Sequence, residues 1–164
     1  MVPFLALSLG LAAAVVIDVR TRRIPNWLTG AILGAGFGLA FGGGGVTPFN
    51  ALLGVLLGLA LMLPGHVIGA TGAGDVKLMA AIGAFLGPGL VFRAFLYSAL
   101  AGGVMALAIA SRRGLLSDTV LGTTRLVTSP AATRDAIVTP GRSNRFAYGP
   151  AIAAGTLIAL VVHP

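Results

Sequence analysis

Two aspartates combine a residue type and a position that could support hydrolysis. Asp18 ends the first long apolar segment of the chain, and Asp75 opens a later one. Ionisable groups in membrane segments are costly and usually face a bundle interior or a watery cavity. Two carboxyl groups held close together can share one proton, so that one activates water while the other polarises a carbonyl. The pair therefore fits hydrolysis of a peptide bond without a covalent intermediate.

Each aspartate also has a structural interpretation. Asp18, two residues before Arg20, could mark the point where a helix meets the membrane interface. Asp75 could be the N-cap of the helix that follows, since aspartate caps helices well and glycines often precede them. Gly72 and Gly74, however, remove side chains from the approach to this carboxylate, so that an extended peptide could come close.

The remaining polar residues offer no competing chemistry. His66 falls within an apolar segment, where we interpret it as a helix-end histidine with a satisfied ring, and His163 lies at the opposite end of the last segment. With no cysteine, no glutamate and two separated histidines, neither a metal site nor a cofactor is expected. Asp118 and Asp135 belong to a long polar loop and are interpreted as solvated charges.

The composition indicates that most of the chain contacts membrane lipid. Of the 164 residues, 57% are hydrophobic and only 9% are charged, with a mean hydropathy of +0.99. A soluble core of this size could not hide so much apolar surface. We therefore expect an all-α integral membrane protein that forms a single domain over residues 1–164.

Segment lengths predict a bundle of six transmembrane helices, since a spanning helix needs about 20 apolar residues. The fourth predicted span is short, and such a span is tolerable where protein or water surrounds it. The predicted spans cover residues 2–19, 27–46, 48–70, 75–88, 90–110 and 147–162.

Basic residues predict the orientation of this bundle. Six alternating spans place ten of the eleven Lys and Arg residues on one side and leave Arg93 near the other. Positive charge is concentrated on cytoplasmic loops, so Asp18 and Asp75 lie at the cytoplasmic face and both termini lie outside. The basic residues sit between apolar segments and form no aromatic-interleaved patch, so nucleic acid is not an expected partner.

Glycine spacing predicts close helix packing. The second span carries glycines at 30, 34, 38 and 42, and the same spacing recurs at 54 and 58, at 65 and 69, and at 83 and 87. Such stripes let helix backbones approach closely in lipid, and we favour packing within the chain over dimerisation. The loop 111–145 has apolar residues at helical intervals, so part of it is expected to lie on the membrane surface.

Three stretches carry a resemblance to a known family. The first is Asp18 followed by the Ile-Pro-Asn run at 24–26, the second is Gly-Ala-Gly-Asp-Val-Lys at 72–77, and the third is Phe-Ala-Tyr-Gly-Pro-Ala at 146–151. In this order they resemble the signatures of the type IV prepilin peptidases, which are GxGD-type intramembrane aspartic proteases. In its overall organisation the chain resembles the small, peptidase-only branch of the family, which is associated with Flp-type (Tad) pili.

This resemblance implies roles for individual residues. Asp18 and Asp75 would be the catalytic pair, and the substrate would be the basic leader of a prepilin-like precursor, cleaved at the inner membrane. Pro25 would start the second span, where its missing N–H costs little. Asn26 would hydrogen-bond the loop beside Asp18, and Lys77 would contact lipid phosphates or tune Asp75. Archaeal preflagellin peptidases share the same core, so that substrate class stays open.

Two other functions fit parts of the pattern. A small proton-coupled transporter would use the aspartates as relay groups, but would place them near the bilayer midplane rather than near one face. A catalytically inactive pilus-assembly factor would not need both carboxylates. The peptidase accounts for more of the residues than either alternative.

The predicted topology can be tested with reporter fusions. Fusions after Arg23, Gly74 and Arg134 should report a cytoplasmic location, because these positions adjoin the basic loops. Fusions after Gly44 or Gly89 should report the opposite side and serve as the matched controls. A periplasmic signal at the Arg134 fusion would invert the topology.

Overall fold

The computed structural model describes residues 2–112 and 147–162, and within these ranges the chain is helical with no strand. Five helices follow one another within the described residues. They are α1 (Val2–Thr21), α2 (Asn26–Phe41), α3 (Pro48–Val67), α4 (Ala73–Arg112) and α5 (Gly149–Val162).

Helix α4 contains both the fourth and the fifth predicted spans. It is broken at Gly87, whose φ of 68° lies in the left-handed region that favours glycine. Pro88 follows at once, at the first position of the second arm, where a missing N–H costs little. We call residues 73–86 the first arm and residues 88–112 the second arm. The boundary between them lies where the sequence predicted it.

The second arm turns back toward the end of the bundle at which the first arm begins. Its residue Gly102 lies directly against the ring of Tyr148, just before α5. The residue after this tyrosine, Gly149, bonds Asp18, and Ile24 in the segment after α1 lies against Gly74 at the start of the first arm. The two arms therefore form a hairpin, with Gly87 and Pro88 at its tip.

The first arm of α4 is the centre of the bundle. From Asp75 to Gly87 every residue except Lys77 is buried. Helices α2 and α3 pack against it, and the second arm packs against α5. A helix that is apolar all round needs neighbours all round, and this arm has them.

Glycines bring α3 and the first arm into backbone contact. A Cβ atom added at Gly54 would overlap the carbonyl group of Gly83, and one added at Gly58 would lie 2.7 Å from the carbonyl oxygen of Met79. Side chains larger than hydrogen would hold these helices apart. Packing within the chain is thus confirmed for these glycines.

The glycine stripe of α2 behaves differently. Gly30, Gly34 and Gly38 have no described atom within 4 Å of where a Cβ would lie. Another row of α2 is buried instead, and Gly36 in that row packs against Ala84 and Phe85 of the first arm. Among the described residues, these three glycines make no helix contact, because glycines of α2 occupy two faces and only one of them meets α4.

The outer surface of the helices is apolar, as expected of a protein in lipid. Large side chains such as Leu9, Trp27 and Phe49 are mostly exposed. Three helices are long and apolar enough to cross a membrane, namely Val2–Thr21, Pro48–Val67 and the Ala73–Ala108 part of α4. Helices α2 and α5, with 16 and 14 residues, are shorter. The chain is therefore a helical membrane protein, while the count of six spans stays a prediction.

The backbone contact between α3 and α4 predicts a large difference between two equal substitutions. Gly54→Ala should lower the free energy of unfolding by about 1–3 kcal/mol, because its methyl group overlaps the Gly83 carbonyl. Gly34→Ala, in open space, should be neutral or stabilising by up to about 1 kcal/mol. Thermal unfolding in detergent measures both. Equal unfolding temperatures for the two variants would contradict the contact.

Candidate active site

The two aspartates lie in buried surroundings at helix ends. Asp18 is in the last turn of α1 and is 4% exposed, while Asp75 is in the first turn of α4 and is 8% exposed. A carboxylate that only marked the membrane interface would be solvated. The nearby Arg20, Arg22 and Arg23 are exposed in that way. Burial therefore sets the aspartates apart from the other charged residues of this face.

Asp18 is held by the start of α5. The backbone N–H of Gly149, the first residue of that helix, donates to Oδ2 of Asp18 at 2.8 Å. The first N–H groups of a helix lack partners within it and carry partial positive charge, so they suit a carboxylate. A Cβ at Gly149 would lie 2.8 Å from the same oxygen and 3.1 Å from Cβ of Asp18. Only glycine allows this approach without displacement.

Asp75 is held by the start of its own helix. The backbone N–H of Gly72 donates to Oδ2 of Asp75 at 3.0 Å. Since α4 begins at Ala73, Asp75 is the third helical residue, and its side chain reaches back to the residue before the helix. This is one half of a capping box. The expected N-cap position is therefore wrong, although the carboxylate does stabilise the helix start.

The two carboxyl groups converge from distant parts of the chain. The charge of Asp18 acts on Asp75, so the two groups lie within electrostatic range. Each accepts one backbone N–H at Oδ2. The pair can hold a shared proton and exchange it with a bound molecule.

Tyr148 borders this pair and was not assigned to the site from the sequence. Its hydroxyl group donates to the carbonyl oxygen of Ser98 at 3.1 Å. The residue that follows it, Gly149, donates its backbone N–H to Asp18. The signal that could have identified this region is the aromatic-Gly-Pro run before an apolar helix.

The segment after α1 and the start of α4 are joined at two points. A Cβ at Gly74 would lie 3.1 Å from Cβ of Ile24, so Gly74 gives room to this isoleucine and not to an incoming peptide. Lys77 donates from Nζ to Oδ1 of Asn26 at 2.8 Å. Asn26 thus forms a hydrogen bond with Lys77, in the Gly-Ala-Gly-Asp-Val-Lys motif, rather than with the loop beside Asp18. Pro25 was expected to be the first residue of the second helix, and it is instead the N-cap, one position before α2 begins.

His66 organises the loop that leads to Asp75. Its Nδ1 lies 3.1 Å from the carbonyl oxygen of Thr71, which precedes Gly72. This distance agrees with the interpretation of His66 as a hydrogen-bonded histidine at the end of α3. The loop 113–146, with Asp118 and Asp135 and the expected surface helix, lies outside the described residues, as does His163.

The described donor groups of the site are two carboxyl groups and the backbone N–H groups that bond them. Among residues 2–112 and 147–162, no three side chains of His, Cys, Asp or Glu form a group that could hold a metal ion. Two carboxyl groups with backbone donors remain, an arrangement suited to general acid–base chemistry. The fold and this site define a helical membrane protein with paired acidic groups at one end of its bundle.

Comparison with known sequences agrees with this description. The sequence profile of the type IV leader peptidase family matches residues 5–107, which include both aspartates. The chain belongs to the type IV leader peptidase family. No curated protein and no solved structure matches it.

The bond between Lys77 and Asn26 predicts a small effect on stability. Both side chains are exposed, so Lys77→Met should lower the free energy of unfolding by no more than about 1 kcal/mol. Asn26→Asp should retain the contact as an ion pair and keep wild-type stability within about 1 kcal/mol. Arg20→Met is the matched control, and unfolding in detergent is the measurement. A loss equal to that of Gly54→Ala would show that Lys77 does more than join the two motifs.

Proposed function

We propose that the chain is an aspartic endopeptidase that removes the N-terminal leader of prepilin-like precursors, with Asp18 and Asp75 as the catalytic pair. The observation that carries this proposal is the convergence of two buried carboxyl groups, each fixed by one backbone N–H at a helix start. Membership of the leader peptidase family supports the reaction class.

The two carboxyl groups suffice for the proton transfers of peptide hydrolysis. One carboxylate takes a proton from water as the water oxygen attacks the scissile carbonyl carbon. The other, protonated, donates to the carbonyl oxygen, and a tetrahedral diol forms. The diol then collapses as the C–N bond breaks, and the leaving amine takes up a proton from the pair. No bond to the enzyme forms at any stage.

The position of the pair favours a leader peptide over a transported ion. Asp18 lies in the last turn of α1 and Asp75 in the first turn of α4, so both are at helix ends. A relay across the membrane would need groups near the midplane. The basic residues around this end favour the cytoplasmic face of the inner membrane, where a leader would lie beside the lipid that holds its apolar helix.

The small peptidase-only branch provides a more specific substrate. Resemblance to that branch favours precursors of Flp-type (Tad) pilins.

The catalytic pair predicts that Asp18→Asn and Asp75→Asn each abolish cleavage. Each should reduce the rate at least about a thousandfold, since an amide keeps the size of the carboxyl group but cannot cycle a proton. An asparagine at 75 still accepts the Gly72 N–H, so the helix start is preserved. The measurement is conversion of a pilin precursor to its mature form on a gel, with equal enzyme levels.

Asp118→Asn and Asp135→Asn are the matched controls and should cleave normally. All four variants should enter the membrane and resist detergent unfolding as the parent does. Parent-like processing by the variant at position 18 or position 75 would refute the two-aspartate mechanism.

A further inference from the structure

The backbone N–H that holds Asp18 is placed by a contact outside the carboxylate pair. The Gly149 N–H lies in the peptide plane that joins Gly149 to Tyr148, so its direction depends on how Tyr148 is held. That residue, Tyr148, is half-buried, with its ring directly against Gly102 in the second arm of α4. Its hydroxyl group donates to the carbonyl oxygen of Ser98 at 3.1 Å.

The acceptor of this bond is itself fixed. Ser98 is completely buried, and its Oγ donates to the carbonyl oxygen of Ala94 at 2.6 Å. Gly155 of α5 lies directly against Ser98, so the helix that begins at Gly149 is packed onto the same residue. Tyr148 therefore joins the start of α5 to a rigid part of α4.

We propose that Tyr148 is a positioning residue that sets the Gly149 N–H, and through it the Asp18 carboxyl group, in the geometry needed for catalysis. The inference rests on the proposed function and extends it. The Tyr148 hydroxyl proton is engaged with the Ser98 carbonyl oxygen, so the tyrosine acts through Asp18 and not on the substrate. Contact of its ring with Gly102 is a second restraint on the same side chain, and it remains when the hydroxyl group alone is deleted.

Two substitutions remove these restraints separately, and each has a neighbouring control. Tyr148→Phe deletes the hydroxyl and keeps the ring, with Tyr97→Phe in α4 as its control. Gly102→Ala places a methyl group where the ring lies, whereas Gly103→Ala adds the same methyl group to the same helix in open space. All four variants are made in the full chain and assayed in detergent or lipid.

The expected result is a fall in kcat with an unchanged KM. Tyr148→Phe should lower kcat roughly 3- to 10-fold, as loss of one hydrogen bond would, and Gly102→Ala should lower it at least about tenfold. KM should stay within about twofold, since the lost geometry serves the transition state. The double variant should be no worse than Gly102→Ala alone, because both changes act through one ring. Tyr97→Phe and Gly103→Ala should behave as the parent.

A merely structural role would give a different pattern. The amount of folded enzyme would fall, while kcat and KM of the folded fraction, isolated by size-exclusion chromatography, would match the parent, and that result would overturn the inference. Asp18→Asn is assayed in parallel. If it is inactive while both Tyr148→Phe and Gly102→Ala equal their controls, the positioning role fails and the proposed function stands. If Asp18→Asn cleaves normally, the proposed function and the inference both fail.

Discussion

Burial of two carboxyl groups at one end of a small helical bundle is the constraint on which the site depends. A buried carboxylate is costly unless hydrogen bonds replace its water. The chain provides those bonds from helix starts, because the first N–H groups of a helix have no partner within it. Gly149 serves Asp18 in this way and Gly72 serves Asp75. The places where α4 and α5 begin are therefore as much a part of the site as the aspartates.

Helices α1 and α4, which carry the two aspartates, touch each other little, so other segments must fix the distance between the carboxyl groups. Ile24 fills the space beside Gly74, and Asn26 accepts a hydrogen bond from Lys77. On the other side, the start of α5 reaches Asp18 through Gly149. Glycine occurs at two of these contacts, at positions 74 and 149, because a neighbouring side chain lies within the space that a Cβ atom would need.

The sequence predicted the features that depend on composition and on local chemistry. Apolar segments predicted the helices, the break in α4 lies close to the predicted boundary between the fourth and fifth spans, and the placement of Asp18 and Asp75 at one end followed from counting crossings. The partner of Asp18 could not be predicted, because Gly149 is 131 residues away and nothing local shows which helix start will face it. The packing face of α2 could not be predicted from the sequence either. Glycines at 30, 34 and 38 have the spacing of a contact surface, but Gly36 makes the contact.

The short interval between Asp75 and Lys77 has a geometric explanation. Two residues along a helix are separated by about 200°, so these side chains lie on nearly opposite faces of α4. Asp75 points into the buried pair, and Lys77 is the one exposed residue in the stretch from Asp75 to Gly87. An ammonium group could not be buried there without an ionised partner, and it reaches Asn26 at the surface instead. A single turn of α4 therefore presents the carboxyl group of Asp75 to the site, while the ammonium group of Lys77 in the same turn bonds the start of α2. This is why an acidic and a basic residue can stand two positions apart here without forming an ion pair with each other.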